Sequence, residues 1–287
     1  MPYTNVAGER IFYVHHQGGS GGGEVLVFVH GAGGSHLNWP PQLRRLPTAN
    51  TYALDLPGHG RSEGRGRTSI SAYADFVAAF LETLGLEKVT LVGHSMGGAI
   101  ALDLALRHPV GANSHSPLLA GLVLVGSGAR LRVAPAILNG IHQDFQAAVR
   151  LICDWAFAPG APEQLKRIGR HQMEQTHPDV LYGDFAACDA FDVMGRLGEI
   201  RCPTLAICGT ADRLTPPKYS TYLRDHIPAA QLVLIEGAGH MVMLEQPAEV
   251  SRAIADFARR PSSPLSLIHI SEPTRLLSIS YAVFCLK

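Results

Sequence analysis

The stretch Val89-Thr90-Leu91-Val92-Gly93-His94-Ser95-Met96-Gly97-Gly98-Ala99 decides the reading of the chain. Val89 to Val92 is a short apolar strand. The chain then turns sharply at Ser95 and enters a helix. Gly93 and Gly97 flank the serine at the spacing G-x-S-x-G, and Gly98 follows. A strand-to-helix turn this tight strains the central residue and leaves no room for side chains beside it. It would hold the Ser95 hydroxyl clear of the backbone, with a helix N-terminus behind it. The pattern has only three fixed positions, so its weight depends on what the rest of the chain supplies.

Working outward, strands and helices alternate. Residues 10–15, Val25–Val29, Thr51–Leu56 and Leu122–Val125 are expected to be strands. Trp39–Leu46 reads as a short helix with Pro40 and Pro41 in its first turn. Ser69–Leu84 reads as a helix capped by Ser69 and stopped by Gly85, with Ile70, Tyr73, Phe76, Val77, Phe80, Leu81 and Leu84 on one face. The nucleophile helix runs to about His108, ahead of Pro109. Thr204–Cys208 and Gln231–Ile235 continue the strands, and Pro217–His226 and Ala248–Arg259 the helices. This rhythm predicts an α/β fold, a parallel sheet with helices on both faces. In such sheets ligands sit at the carboxyl ends of the strands.

The alternation lapses over residues 127–196. That stretch has helical patterns at Ala134–Phe157, Pro162–Gln175 and Pro178–Asp192, and reads as a helical cap over the sheet rim. Residues 1–126 and 197–264 are then the two parts of one core. Residues 265–287 read as a non-native tail. LSLIHISEPTR at 265–275 and ISYAVFCLK at 279–287 resemble in-frame translations of sequencing-adapter DNA.

Composition narrows the function classes. Of the 287 residues, 46% are hydrophobic and 17% charged, with 24 basic and 24 acidic side chains. Without a basic stripe, nucleic acid is not the expected partner. No apolar run is long enough to span a bilayer and no export signal stands at the start, so no membrane insertion and a cytoplasmic location are expected. Gly18–Gly23 lacks the Lys-Ser/Thr that would make it a phosphate cradle. The five cysteines, Cys153, Cys188, Cys202, Cys208 and Cys285, show no C-x-x-C pair or zinc spacing. Free thiols, no metal and no cofactor are expected.

A serine hydroxyl needs a base, and the base needs orienting. His240 and Asp212 each follow a predicted strand and would reach the rim that carries Ser95. Asp212 would hold the imidazole tautomer while His240 takes the Ser95 proton. Asp55 and Asp103 are weaker acids for this role, one behind Pro57 and one inside the nucleophile helix. Only Gly126, Ser127 and Gly128 follow the Leu122–Val125 strand. The backbone N–H groups of Ala32 and Met96 suit a developing oxyanion. His30 would brace its loop, and His59, His94 and His108 serve loop or helix packing.

As a set, Gly93–Gly98, the His30-Gly31 turn, Asp55-Leu56-Pro57-Gly58-His59-Gly60-Arg61-Ser62, Gly209–Asp212 and Gly239-His240 resemble the α/β-hydrolase superfamily over residues 8–260. The resemblance implies a mostly parallel eight-stranded sheet, a helical cap after the sixth strand, and Ser95, Asp212 and His240 as nucleophile, acid and base. Residues 110–119 depart from it as a small loop insertion. A serine at position 95 argues against epoxide hydrolases and haloalkane dehalogenases, which carry an aspartate there. The elbow resembles those of carboxylesterases and monoacylglycerol lipases. The cap is rich in aromatic residues and methionine, suiting a small-molecule, apolar, ester-like substrate with a small or medium acyl group. The alternatives are a carbon–carbon hydrolase of ring-cleavage products or an enol-lactonase, with Arg130, Arg132 or Arg150 holding a substrate carboxylate, and a non-catalytic ligand receptor.

Overall fold

The computed structural model describes residues 3–18, 23–108 and 118–259. Eight strands form one sheet: β1 Tyr3–Val6, β2 Glu9–His16, β3 Glu24–Val29, β4 Ala49–Leu54, β5 Val89–His94, β6 Leu119–Val125, β7 Thr204–Gly209 and β8 Gln231–Ile235. The order is β1-β2-β4-β3-β5-β6-β7-β8. β1 and β2 pair antiparallel, β2 joins β4 antiparallel, and every later pairing is parallel. The helices are α1 Pro41–Arg44, α2 Ile70–Thr83, α3 Met96–Arg107, α4 Pro135–Gln143, α5 Phe145–Ala156, α6 Glu163–Glu174, α7 Pro178–Ala190, α8 Pro217–His226, α9 Val242–Glu245 and α10 Pro247–Ala258. Among the described residues no helix is long and apolar enough to cross a membrane.

The central strands are buried throughout, β5 and β7 along their whole lengths. β3 shows how they build two cores. Val27 and Val29 face Tyr73, Phe80, Ile100 and Leu104 of α2 and α3. Leu26 and Phe28 face Trp39, Leu43, Val250 and Ile254 on the opposite side. That is the period of two expected of a strand covered on both faces. Ser69 caps α2 by accepting from Ala72 N at 3.2 Å.

Several elements differ from the sequence reading, the one-turn helix α9 among them. β1 was not expected from the pattern: it is four residues long, at the sheet edge, with only Val6 buried. Trp39–Leu46 is not one helix. A 3-10 turn at His36–Asn38 precedes α1, which starts at Pro41 because Pro41 has no N–H to give. The helix expected over Ala134–Phe157 is broken at Asp144. Ile137 and Ile141 form the buried stripe of α4, and a straight continuation would carry Asp144 into it. Instead Asp144 leaves the helix and accepts from Ala147 N at 2.9 Å as the cap of α5.

Helices α4 to α7 lie between β6 and β7 and share an apolar cluster that includes Ile137, Ile141, Val149, Ile152, Leu181 and Phe185. The loop insertion at 110–119 falls almost wholly outside the described residues, and the tail at 265–287, with Cys285, falls wholly outside them.

Candidate active site

The end of β5 passes into α3 through Ser95, at φ 52 and ψ −113. Few non-glycine residues adopt a positive φ, and those that do are held there by their surroundings. Here the hold is backbone packing. A side chain on Gly93 would run into the Gly97 carbonyl, and one on Gly97 into the Val29 carbonyl. Ser95 N–H donates to Val125 O at 2.9 Å, which ties the turn to β6. Ser127 Oγ donates to Ser95 O at 2.8 Å.

Asp212 and His240 meet beyond the ends of β7 and β8. His240 Nδ1 lies 2.9 Å from Asp212 Oδ2, and both side chains are buried. Asp212 is fully engaged. Its Oδ1 accepts from Leu214 N and Thr215 N, each at 2.9 Å, and its Oδ2 accepts from Thr215 Oγ1 at 2.9 Å. Burial pushes the Asp212 pKa up, but His240 and the Thr215 donors outweigh it and hold the carboxyl below its ordinary value. An ionised Asp212 fixes Nδ1–H on the imidazole and leaves Nε2 free to accept. The sequence reading missed Thr215. Its only signal was an Asp-x-x-Thr spacing, common to many turns.

Ser95 and His240 line the same cavity of about 60 Å³, whose walls include Ala32, Ile152, Cys153, Phe157, Met173, Phe185, Leu214 and Met241. A water fills about 10–15 Å³ of such space, so there is room for a few waters or a short chain. Among the described residues no lysine or arginine lines it. Arg130 instead pairs with Asp192 at 3.4 Å, Arg132 donates to Asp189 O at 2.8 Å, and Arg150 is exposed. Of the aromatic and methionine side chains in the insertion, Phe157, Met173 and Phe185 reach the cavity. Phe191 packs into the main core, and Tyr182 is exposed.

Of the two expected oxyanion donors, Ala32 lines the cavity and its N–H has no intramolecular acceptor among the described residues. Met96 is fully buried and is not part of the cavity wall. Its N–H opens α3, where the first N–H groups have no intrahelical acceptor.

The remaining titratable groups play other parts. His30 Nε2 accepts from Leu56 N at 3.0 Å and its Nδ1 donates to Gly31 O at 2.8 Å. Burial lowers its pKa to about 4, so it is a neutral brace. Burial likewise lowers His94 to about 3, and its Nε2 donates to His240 O at 3.1 Å. Asp55 is tied to His36 Nδ1 at 2.8 Å, and Asp103 to Arg107 Nε at 2.8 Å. Cys153 lines the cavity, but burial pushes its thiol up to about 12, which leaves no thiolate to compete as nucleophile. Among the described residues no group of three or more His, Cys, Asp or Glu could hold a metal ion.

Known proteins agree with this fold. The chain resembles a solved thermophilic esterase, 36% identical, with a TM-score of 0.76 over 89% of this chain and 95% of that one. It is 31% identical over 238 residues to an Agrobacterium fabrum protein named as a carbamate hydrolase, covering 78% of this chain and 88% of that one. It is 30% identical over 247 residues to the pimeloyl-acyl-carrier-protein methyl ester esterase of Neisseria meningitidis, covering 81% and 92%. The sequence profile of the alpha/beta hydrolase family matches residues 26–253. The chain therefore belongs to the alpha/beta hydrolase family and is a hydrolase.

Proposed function

We propose that the protein hydrolyses carboxylic esters of small or medium acyl groups through a covalent acyl-enzyme on Ser95. One observation carries this: a strained serine and a carboxylate-oriented imidazole border one apolar cavity that no lysine or arginine lines among the described residues. His240 Nε2 takes the Ser95 proton as Oγ attacks the ester carbonyl. The oxyanion forms against the N–H groups of Ala32 and Met96. His240 then protonates the departing alcohol, and a water repeats the sequence in reverse to release the acid. Asp212 stabilises the imidazolium that forms in each half. Residues 127–196 act as the cap that closes the cavity, on a core of residues 1–126 and 197–264.

The carbamate-hydrolase relative favours a second reading on the same chemistry, in which the scissile carbonyl belongs to a carbamate. A carbon–carbon hydrolase needs a cation for the substrate carboxylate, and Arg130, Arg132 and Arg150 all lie away from the cavity wall.

Rapid mixing with a series of p-nitrophenyl acyl esters tests the proposal, run beside a carbamate and a ring-cleavage product. The expected result is a burst of one p-nitrophenol per site and fastest turnover on short esters. Turnover of the carbamate or the ring-cleavage product well above every ester would overturn it.

A further inference from the structure

The turn that carries Ala32 is gripped from outside the sheet. Gly33 N–H donates to Asp184 Oδ2 at 2.8 Å, and Gly33 O accepts from Thr176 Oγ1 at 3.2 Å. Asp184 belongs to α7 and Thr176 lies just before it. Gly33 also sits at φ +61, and a side chain there would run into Leu181 of α7. The N–H, the carbonyl and the Cα of one residue are all fitted to the inserted helices.

Asp184 is itself fully buried. Besides Gly33 N–H it accepts from His59 Nε2 at 2.7 Å and from Tyr73 Oη at 2.6 Å. The other ring nitrogen of His59 faces Pro57 O at 3.0 Å. Both nitrogens of His59 therefore face acceptors, and only the imidazolium satisfies both. Burial opposes that charge, but the Asp184 carboxylate beside it outweighs burial and holds the His59 pKa above its ordinary value. Donors from the turn after β3, the loop after β4 and α2 thus converge on one carboxylate. Charge-assisted bonds of this kind are short, strong and directional.

We propose that Asp184 and Thr176 are positioning residues: they clamp Gly33 and so aim the preceding Ala32 N–H at the developing oxyanion. The inference rests on the acyl-transfer reading of Ser95. It gives the inserted helices a part in the chemical step as well as in enclosing the substrate. A donor displaced by about 1 Å loses much of its effect, and loss of one donor lowers the rate by about 10²–10³.

The test measures kcat and KM per active site, with sites counted by stoichiometric labelling with a p-nitrophenyl alkylphosphonate. It also measures amide hydrogen exchange at Gly33. Asp184→Ala should lower kcat per labelled site about 10- to 100-fold, with KM within about threefold. Thr176→Val, which removes only a hydroxyl, should lower it about three- to tenfold. Gly33 should exchange faster in both. If Asp184→Ala does not fold, Thr176→Val decides. A merely structural role would reduce the number of labelled sites and leave kcat per site untouched. Wild-type kcat per site, or unchanged exchange at Gly33, overturns the proposal. Phosphonate on a peptide that lacks Ser95 removes the serine reading beneath it, and the labelled peptide tells that failure from the other.

Discussion

Helices α6 and α7 border the same cavity and are held by opposite means. No residue of α6 is buried. Partly buried Leu165 and Met173 pack it against its neighbours, and its charged pairs, Arg170–Glu163 at 2.7 Å and Lys166–Glu163 at 4.0 Å, lie within the helix itself and share one exposed carboxylate. Pairs of that kind contribute about 0–1 kcal/mol. α7 buries Leu181, Gly183, Asp184, Phe185, Ala187 and Cys188, and its carboxylate reaches three other parts of the chain. Yet α6 supplies Gly169, Gln172 and Met173 to the cavity, against Phe185 from α7. The contrast separates two duties. One wall is loosely held, and the other is tied to the turn that carries the proposed oxyanion donor Ala32.

The largest effect that would break this comparison is on stability. Asp184→Ala leaves His59, Tyr73 and Gly33 without their acceptor and should cost about 3–5 kcal/mol in urea unfolding. Glu163→Gln in α6 should stay within about 0.5 kcal/mol. Equal losses would remove the distinction between the two helices.

The His59–Asp184 pair also makes stability depend on pH, and the sign is fixed. A histidine with a raised folded pKa contributes stability that is fully present below its unfolded value, about 6.5. That contribution fades as pH rises through the raised value. The groups facing His59 are Asp184, Asp55, Tyr73 and His30, and His30 is already neutral across this window. The stability gap between wild type and His59→Gln should therefore narrow with rising pH. A gap that widens would mean that His59 is buried neutral.

Met173→Ala sharpens the comparison from the side of α6. Each further buried methylene is worth about 0.8 kcal/mol, roughly fourfold in kcat/KM. The variant should shift the acyl-length optimum upward by one or two carbons while kcat on short esters stays near wild type. A fall in kcat on all esters alike would place α6 in the chemistry after all.

The elbow was legible because its constraint is local. Gly93, Ser95 and Gly97 are set by one turn, and Asp212 and His240 each follow a strand that the apolar pattern marks. The break at Asp144 was missed, although its signal, a charged residue seven after Ile137 on a buried stripe, was legible. The clamp was not. Gly33 and Asp184 are separated by 151 residues, and His59 reads as a loop histidine until its neighbours are seen. No periodicity or turn rule pairs residues that far apart. β1 escaped for another reason: an edge strand of four residues buries too little to leave an alternating pattern.

The central claim is that Ser95 carries the acyl group. Its most direct test is the mass of the protein quenched in acid during turnover of p-nitrophenyl acetate, followed by peptide mapping. The account predicts one added acetyl group, on the peptide containing Ser95. It also predicts that Ser95→Ala shows neither the adduct nor measurable turnover, while melting at about the wild-type temperature. Turnover by Ser95→Ala at the wild-type rate, or an acetyl group mapped to any other residue, would contradict it.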